Sequence, residues 1–148
     1  MTGITIRRAT AEDKPEWLRM RQTLWPDEIE TMNFEEMDDI LADPMMPVWL
    51  AVRPDGHLGG FLEAGTRKYA EGALTSPVGY IEGWYVDKDL RKQGVGGALV
   101  HAAEEWARSQ NLTEMGSDTW LDNIVSIRAH GKLGYEETER LVCFLKKL

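Results

Sequence analysis

The stretch Asp89–Val100, DLRKQGVGGALV, places a basic run and three glycines directly before an apolar segment. The residues ahead of it, Val78–Val86 (VGYIEGWYV), are rich in aromatic and β-branched side chains and predict a strand. Behind it, apolar residues recur at helical spacing and predict a long helix, at Val95, Ala98, Leu99, Ala102, Ala103 and Trp106. The glycines therefore lie between a strand and a helix, where free backbone N–H groups and the helix dipole favour a phosphate anion.

Two other glycine-rich phosphate-binding patterns do not fit this stretch. The P-loop spacing G-x-x-x-x-G-K-[ST] is absent, and so is a full G-x-G-x-x-G in a first strand-helix unit. ATP and dinucleotide binding are therefore disfavoured. Glycine in a strand-to-helix turn also has a purely conformational interpretation, and the loop alone does not decide between the two.

The residues before this stretch predict a strand, two helices and a hairpin. Alternation marks a first strand at Ile4–Arg8, followed by a first helix. A second helix is predicted from Asn33, as its N-cap, to the residue before Pro44. The runs 48–52 and 58–65 flank the turn RPDGH and predict a hairpin.

The residues after the glycines predict a second strand-helix-strand unit. A short strand falls within 113–120, and Asn123 caps a helix that ends at Gly134. The stretch 135–147, YEETERLVCFLKK, predicts a terminal strand. This order of elements predicts a mixed α/β sheet in a single domain, residues 1–148.

Composition restricts the compartment and the class of partner. The single cysteine, Cys143, lies in the apolar run LVCFL, which favours packing as a small hydrophobe over a reactive thiol. No apolar signal region and no run of about 18 apolar residues occurs, so we expect a cytoplasmic protein without a membrane partner. The formal net charge of -8 disfavours nucleic-acid binding and favours a cationic partner.

Much of the acid falls in one segment that contains no lysine or arginine. Such a run is either a solvated face or the source of a field that draws polycations toward a cleft. Its members are Asp27, Glu28, Glu30, Glu35, Glu36, Asp38, Asp39 and Asp43.

Two motifs in order resemble the GNAT superfamily of N-acetyltransferases. RKQGVG is similar to the R/Q-x-x-G-x-G/A signature of that superfamily, and DNIVSIRAHGKLGYEE is similar to its second motif. The resemblance covers nearly the whole chain. It implies the α/β GNAT fold, with a mixed, mostly antiparallel sheet that is splayed at the cofactor site and flanked by helices. It also implies acetyl-CoA as cosubstrate, with no metal.

The resemblance implies a set of cofactor-binding residues. The loop would wrap the pyrophosphate, and Trp84, Tyr85 and Val86 would lie along the pantetheine, with the Val86 N–H polarising the thioester carbonyl. Ordinary sheet core is the alternative for the Trp84 and Tyr85 side chains, and helix capping is the alternative for Asn123. The loop residues and the second-motif residue are Arg91, Lys92, Gln93, Gly94, Val95, Gly96, Gly97 and Asn123.

A narrower resemblance concerns the acceptor. LWP, YAEG, YIEGWYV, EMGSDT and GYEETER are similar to the bacterial aminoglycoside 6′-N-acetyltransferases, in particular to a subgroup of small dimeric enzymes. This implies acetylation of a polycationic aminosugar antibiotic, resistance to it, and a homodimer. The alternatives are a GNAT enzyme for another amine (a polyamine, a small metabolite or a protein N-terminus) and a non-catalytic acyl-CoA-binding module.

The acceptor chemistry calls for carboxylates. A primary amine is largely protonated at neutral pH, so an acidic group must hold the ammonium and take its proton. Glu82, inside an apolar strand, and Asp118, at the end of the next strand, are the candidates. An outward-facing strand residue and a turn residue are their respective alternatives. The resemblance adds Trp25, Tyr69 and Glu139 to the acceptor site. A core residue, a loop residue and a solvated strand charge are their respective alternatives.

The group that protonates the leaving thiolate is not fixed by the sequence. Many GNAT enzymes carry a tyrosine in the second motif for this role, and here His130 stands in that part of the chain. His130 as the acid, a structural histidine, and no protein acid at all remain open. Cys143 has no neighbouring base in sequence, which favours direct attack in a ternary complex over a covalent enzyme intermediate.

Overall fold

A five-stranded sheet runs through the computed structural model, which describes residues 3–148 and the side chains of all of these except 30–32. The strands lie in sequence order, with the first four antiparallel to their neighbours and the last parallel to the fourth. They are β1 (Thr5–Arg8), β2 (Val48–Val52), β3 (Leu58–Arg67), β4 (Val78–Val86) and β5 (Met115–Ser117).

Helices cover both faces of the sheet because its side chains alternate between two apolar clusters. Helices α1 (Lys14–Leu24) and α2 (Glu30–Ala42) pack on the face that carries Leu50 and Phe61. Helix α3 (Val95–Ser109) packs on the opposite face, which carries Trp49 and Leu62. Helix α4 (Ile124–Lys132) follows β5.

Several helix ends lie where the sequence predicts them. The side-chain oxygen of Asn123 accepts a hydrogen bond from the Ser126 N–H at 3.1 Å and caps α4. Gly134 follows that helix with a φ of 90°, and Asn111 follows α3 with a φ of 62°. Both values lie in the left-handed region that commonly terminates a helix.

The second helix starts earlier than predicted. It begins at Glu30, so Asn33 lies inside α2 and is not its N-cap. Asn33 is fully buried, and its side-chain oxygen accepts a hydrogen bond from Nη1 of Arg21 at 2.8 Å. The asparagine therefore satisfies a buried cation, a role that depends on a contact between two helices. In α3, Ala98 is exposed and Val100 is buried, so the predicted apolar face was wrong at that position.

The predicted terminal strand is wrong for the single chain. Residues 136–148 form neither strand nor helix, and their apolar side chains are exposed: Leu141 51%, Val142 76%, Phe144 91% and Leu145 92%. Cys143 is exposed as well, so the expected packing of its side chain does not occur within the chain. A strand needs a hydrogen-bonded neighbour, and this segment does not pair with any strand of the described residues.

A buried ion pair joins α1 to β3. Nε of Arg21 lies 2.7 Å from Oε2 of Glu63, and the indole N–H of Trp17 donates to the same oxygen at 2.9 Å. The two charged residues are 1% and 4% exposed. Burial raises the pKa of the Glu63 carboxyl, with the Arg21 charge opposing that shift. Burial alone would lower the pKa of Arg21, and Glu63 and Glu36 together outweigh it and raise the pKa.

Replacing Arg21 with Met should destabilise the fold strongly, because the buried Glu63 carboxylate loses its counterion. Removing one partner of such a pair lowers the free energy of unfolding by about 3–5 kcal/mol, measured by urea titration. The control is Arg108→Met, which removes an exposed arginine paired with Glu105 within α3 and should change the same quantity by less than about 0.5 kcal/mol. Equal losses in the two variants would contradict a structural role for the buried pair.

Candidate active site

Strands β4 and β5 separate after a short parallel pairing. The register joins Gly79 to Met115, Tyr80 to Gly116 and Ile81 to Ser117, and it ends there. From Glu82 onward β4 has no partner on that side among the described residues. The separation leaves an opening between the second half of β4 and the residues after β5, as the sequence resemblance implies.

A β-bulge places Glu82 at the start of this opening. On its other side β4 pairs with β3, and the register shifts so that Glu63 faces Gly83 while Ala64 faces Ile81. Glu82 is thus the extra residue, and a bulge of this kind re-aims the side chain it carries. The Glu82 side chain is exposed on the sheet surface.

Gly83 is needed because an aromatic ring approaches the strand there. A Cβ on Gly83 would lie 2.5 Å from Cη2 of Trp25, closer than side chains tolerate. The half-buried Trp25 indole therefore rests on β4 directly beside Glu82, and its ring meets Phe61 edge-on. Glycine inside a strand commonly marks a bulge or a close approach by another group, and both occur here: the register shifts at Glu82, and the Trp25 ring approaches the strand.

The two predicted carboxylates lie around one guanidinium, that of Arg67. Nη2 of Arg67 donates to Oε1 of Glu82 at 2.6 Å, and Nε donates to Oε2 at 3.0 Å. The same Nη2 lies 3.9 Å from Oδ2 of Asp118. The hydrogen bonds that Arg67 donates to Glu82 raise the pKa of Arg67. The structure thus brings Glu82 and Asp118 to one place and shows that the place suits a cation.

Tyr80 forms the floor of this cluster. Its hydroxyl donates to Oδ2 of Asp118 at 2.7 Å, and its ring centroid lies 3.6 Å from the guanidinium carbon of Arg67. Burial and the Asp118 carboxylate raise the pKa of the phenol. Neither Tyr80 nor Arg67 was among the predicted site residues. The spacing of Tyr80 two residues before Glu82 on one strand was a usable signal, whereas the position of Arg67 depends on the β3–β4 register.

An acidic cleft adjoins the carboxylates. A cleft of about 410 Å³ runs from Glu82 to α2, and Glu36 and Asp43 of the acidic segment lie on its wall together with the buried Glu63. A neighbouring cleft of about 520 Å³ shares Glu36 and is lined mostly by the same segment, through Asp27, Glu28, Ile29, Glu35 and Asp39. The acidic segment therefore borders concave surfaces next to Glu82, an arrangement that attracts cations.

The glycine loop presents the N-terminus of α3 to the other side of the opening. Gly94 precedes the helix with a φ of 81°, and no side chain caps the first turn. A Cβ on Gly96 would lie 3.1 Å from Cζ2 of Trp84, so the glycine allows the helix to approach that ring. Arg91 and Lys92 are exposed beside these N–H groups. Uncapped donors, a helix of 15 residues and two cations fit a pyrophosphate.

The backbone of β4 supplies a donor in the opening. The Asp87 N–H bonds to the Gly59 carbonyl at 2.8 Å, so the adjacent pair, Gly60 and Val86, is a non-hydrogen-bonded pair of the antiparallel ladder. The Val86 N–H therefore points away from β3. Nε of Arg91 donates to the Val86 carbonyl at 2.9 Å.

The side chains of Trp84 and Tyr85 belong to the two core layers. Trp84 packs against the α3 cluster, and its indole nitrogen is buried without a hydrogen-bond partner among the described residues. Tyr85 packs against the α1–α2 cluster, and its hydroxyl donates to Oδ1 of Asp87 at 3.1 Å. Both side chains are thus half-buried against the core, and their contact with the cofactor stays a prediction.

Asp87 joins the turn before the glycine loop to the sheet, a role that no sequence pattern indicated. Arg19 donates to Oδ1 of Asp87 at 3.1 Å, and Arg53 donates to Oδ2 at 3.0 Å. Burial alone would raise the pKa of the Asp87 carboxyl, and the two arginines outweigh it and lower the pKa. This network holds the end of β4 in front of the loop.

Both ring nitrogens of His130 lie within hydrogen-bond distance of a neighbouring group. Its Nδ1 is 2.7 Å from the Ser126 carbonyl oxygen, and its Nε2 is 2.7 Å from the Ser117 hydroxyl. Because a carbonyl only accepts, Nδ1 carries a hydrogen, and the Nε2 position is taken by the Ser117 hydroxyl. The ring packs edge-on against Trp84 and Tyr135. This arrangement favours the structural interpretation, and it identifies Ser117 as a partner that the sequence did not reveal.

None of the contacts described above joins the remaining predicted residues to Glu82 or Asp118. Tyr69 is 66% exposed in the loop between β3 and β4. Glu139 is exposed in the C-terminal segment, outside the sheet. Asn123 caps α4, as its alternative interpretation states. Among the described residues no group of three or more histidine, cysteine or acidic side chains is arranged to hold a metal ion.

Gly83→Ala should displace Trp25 and strain β4, because the added methyl overlaps the indole ring. Overpacking of this size lowers the free energy of unfolding by about 1–3 kcal/mol, which urea titration measures. Gly131→Ala is the control: its Cβ meets nothing within 4 Å inside α4, so stability should stay the same or rise. A Gly83→Ala variant as stable as the parent chain would show that Trp25 does not rest on the strand.

Comparison with known proteins places this geometry in a family. A sequence model of the acetyltransferase (GNAT) family matches residues 14–135. The aminoglycoside N(6′)-acetyltransferase type 1 of Klebsiella aerogenes is 42% identical over 146 residues, which cover 97% of this chain and 96% of that relative. No helix of the described residues is long and apolar enough to cross a membrane.

Solved structures show the same architecture. AAC(6′)-Iy in complex with the bisubstrate analogue CoA-S-monomethyl-acetylneamine has a TM-score of 0.92 at 32% identity, covering 98% of this chain and 99% of that chain. AAC(6′)-Ih from Acinetobacter baumannii has a TM-score of 0.91 at 35% identity, covering 99% of both chains.

Proposed function

Because the chain belongs to the acetyltransferase (GNAT) family, we propose that it transfers the acetyl group of acetyl-CoA to the 6′-amino group of an aminoglycoside, and that it thereby confers resistance to the antibiotic. The observation that carries the proposal is the pair of carboxylates, Glu82 and Asp118, around one cation at the opening of the sheet. The relatives that share most of the chain are named as enzymes of this activity.

The acceptor site would bind an ammonium and then free its nitrogen lone pair. Glu82 and Asp118 hold the charged amine, and the acidic cleft beside them attracts the other ammonium groups of a polycation. Glu82 then takes one proton from the amine. Trp25 supplies an apolar wall beside Glu82 for a sugar ring, and Tyr69 and Glu139 complete the site by analogy with the family.

The cosubstrate site would use the other side of the opening. Acetyl-CoA supplies the acetyl group as a reactive thioester. The first N–H groups of α3, with Arg91 and Lys92, would bind its pyrophosphate. Gln93, Gly94, Val95, Gly96 and Gly97 would shape that loop, and Asn123 would contact the cosubstrate by analogy with the family. The Val86 N–H would stabilise the negative charge that develops on the carbonyl oxygen during attack.

We favour direct transfer within a ternary complex. The amine nitrogen forms a bond to the carbonyl carbon, the carbon–sulfur bond breaks, and the nitrogen releases its second proton as the amide forms. Coenzyme A leaves as a thiolate that takes up one proton. Both ring nitrogens of His130 lie within hydrogen-bond distance of other groups, at Ser117 and Ser126, so we propose that this proton passes from the amine to the thiolate through solvent. Cys143 is far along the chain from the site residues of the sheet and is not required.

The assay is acetyl transfer from acetyl-CoA to kanamycin or tobramycin, followed by thiol release. Glu82→Gln should lower kcat by about 100-fold or more, because general-base catalysis contributes about 10²–10⁴. Its affinity for acetyl-CoA should stay within about twofold. Gly96→Val should weaken the affinity for acetyl-CoA and largely spare the kcat, because the valine side chain meets Trp84 and blocks the loop.

Equal loss of acetyl-CoA affinity in both variants would contradict this division of roles. Turnover of a polyamine with none of either aminoglycoside would replace the proposed acceptor with another amine. Binding of acetyl-CoA without any turnover would indicate a non-catalytic module.

We propose further that the chain is a single domain that acts as a homodimer in the cytoplasm. The exposed apolar side chains of 141–148 support the dimer, because an isolated chain gains nothing by leaving them in water. β5 is a three-residue strand at the edge of the sheet, and Ile124 and Val125 of α4 are 50% and 68% exposed. A second copy would cover these surfaces with its own C-terminal segment. The free cysteine suits a reducing compartment.

A negative charge introduced among the apolar side chains of the C-terminal segment should dissociate the dimer. Phe144→Asp removes a side chain that is 91% exposed in the single chain and should shift the sedimentation mass from two chains to one. Ile29→Asp is the matched control, because Ile29 is 62% exposed directly before α2, on the face of the sheet opposite α3, and this variant should remain a dimer. A monomeric parent chain, or a Phe144→Asp variant that stays dimeric, would contradict the proposal.

A further inference from the structure

We propose that Arg67 is an internal competitor for the acceptor: in the free enzyme its guanidinium occupies the position between Glu82 and Asp118 that the substrate ammonium must take. The inference rests on the proposed function and extends it, because it assigns a specificity-determining role to a residue outside the predicted site.

The contacts of Arg67 use the acceptor groups. Its Nη2 and Nε bind the two oxygens of Glu82 at 2.6 Å and 3.0 Å, so neither oxygen is free of a cation. Nη2 also lies 3.9 Å from the Asp118 carboxylate. A protonated amine presents the same charge and the same kind of N–H donor to these oxygens. The guanidinium and the ammonium therefore compete for one pair of carboxylates.

The arginine is held loosely enough to be displaced. The side chains of Arg67 and Glu82 are 42% and 35% exposed, and ion pairs in contact with water contribute little stability. The buried pair of Arg21 and Glu63, at 1% and 5% side-chain exposure, is the contrasting case in the same protein. Arg67 also lies on the ring of Tyr80, which keeps the guanidinium near the site after it leaves Glu82.

Competition of this kind selects for polycations. A ligand with one positive charge replaces one cation on Glu82 by another, with little net gain. A ligand with several ammonium groups gains further contacts in the adjoining acidic cleft, where Glu36 and Asp43 lie. Arg67 therefore weakens the binding of small monoamines more than the binding of aminosugars with several amines.

The test compares Arg67→Gln with Arg67→Lys by steady-state kinetics. Arg67→Gln should lower the KM for kanamycin by about two- to sixfold, because an exposed ion pair no longer withdraws part of the enzyme from binding. The kcat and the KM for acetyl-CoA should stay within about twofold. Arg67→Lys keeps the cation and should retain a KM near that of the parent chain. Arg108→Gln, the control on α3, removes the same charge at a surface pair and should leave all three constants unchanged.

Two results would overturn the inference. A raised KM in Arg67→Gln would show that the arginine holds Glu82 in place for the substrate, and an unchanged KM would show that the pair does not compete. Calorimetric binding of kanamycin to the enzyme saturated with coenzyme A separates this from the proposed function. If the parent chain binds kanamycin without acetylating it, the proposed function fails, and the ratio of dissociation constants between parent and Arg67→Gln still decides the role of Arg67. Absence of kanamycin binding in both the parent chain and Arg67→Gln would contradict the proposed function and the role of Arg67.

Discussion

The parting of β4 from β5 after Ile81 is the constraint on which the site depends. Because β4 pairs with β5 over three residues only, its second half faces an opening on that side. The bulge at Glu82 begins at the same point, and one guanidinium joins this carboxylate to that of Asp118, which follows β5. The Val86 N–H, further along β4, points away from β3. One irregular strand thus carries both the Glu82 carboxylate and the Val86 backbone donor.

Charge is distributed unequally across the opening. On one side lie Glu82, Asp118 and the acidic cleft of α2, and on the other lie the uncapped start of α3 with Arg91 and Lys92. The arrangement suits a reaction between a cationic acceptor and an anionic cosubstrate. Arg67 is the exception on the acidic side, and its partial exposure makes it a replaceable counterion.

The sequence was most informative where chemistry follows from local order. The glycine loop, the strand that carries Glu82, and the cap at Asn123 are signals within a few residues, and the structure places each where it was expected. Arg67 could not be found this way, because it meets Glu82 only through the β3–β4 register. The burial of Asn33 likewise depends on Arg21 from another helix. The C-terminal stretch has the pattern of a strand but no partner within its own chain.

A crystal structure of the enzyme with coenzyme A and kanamycin would examine the acceptor site most directly. The 6′-nitrogen should lie within hydrogen-bond distance of the Glu82 carboxylate and next to Asp118, with the Arg67 guanidinium moved off Glu82 and the pyrophosphate on the first turn of α3. Kanamycin bound with its 6′-nitrogen away from both carboxylates, while Arg67 still holds Glu82, would contradict the assignment.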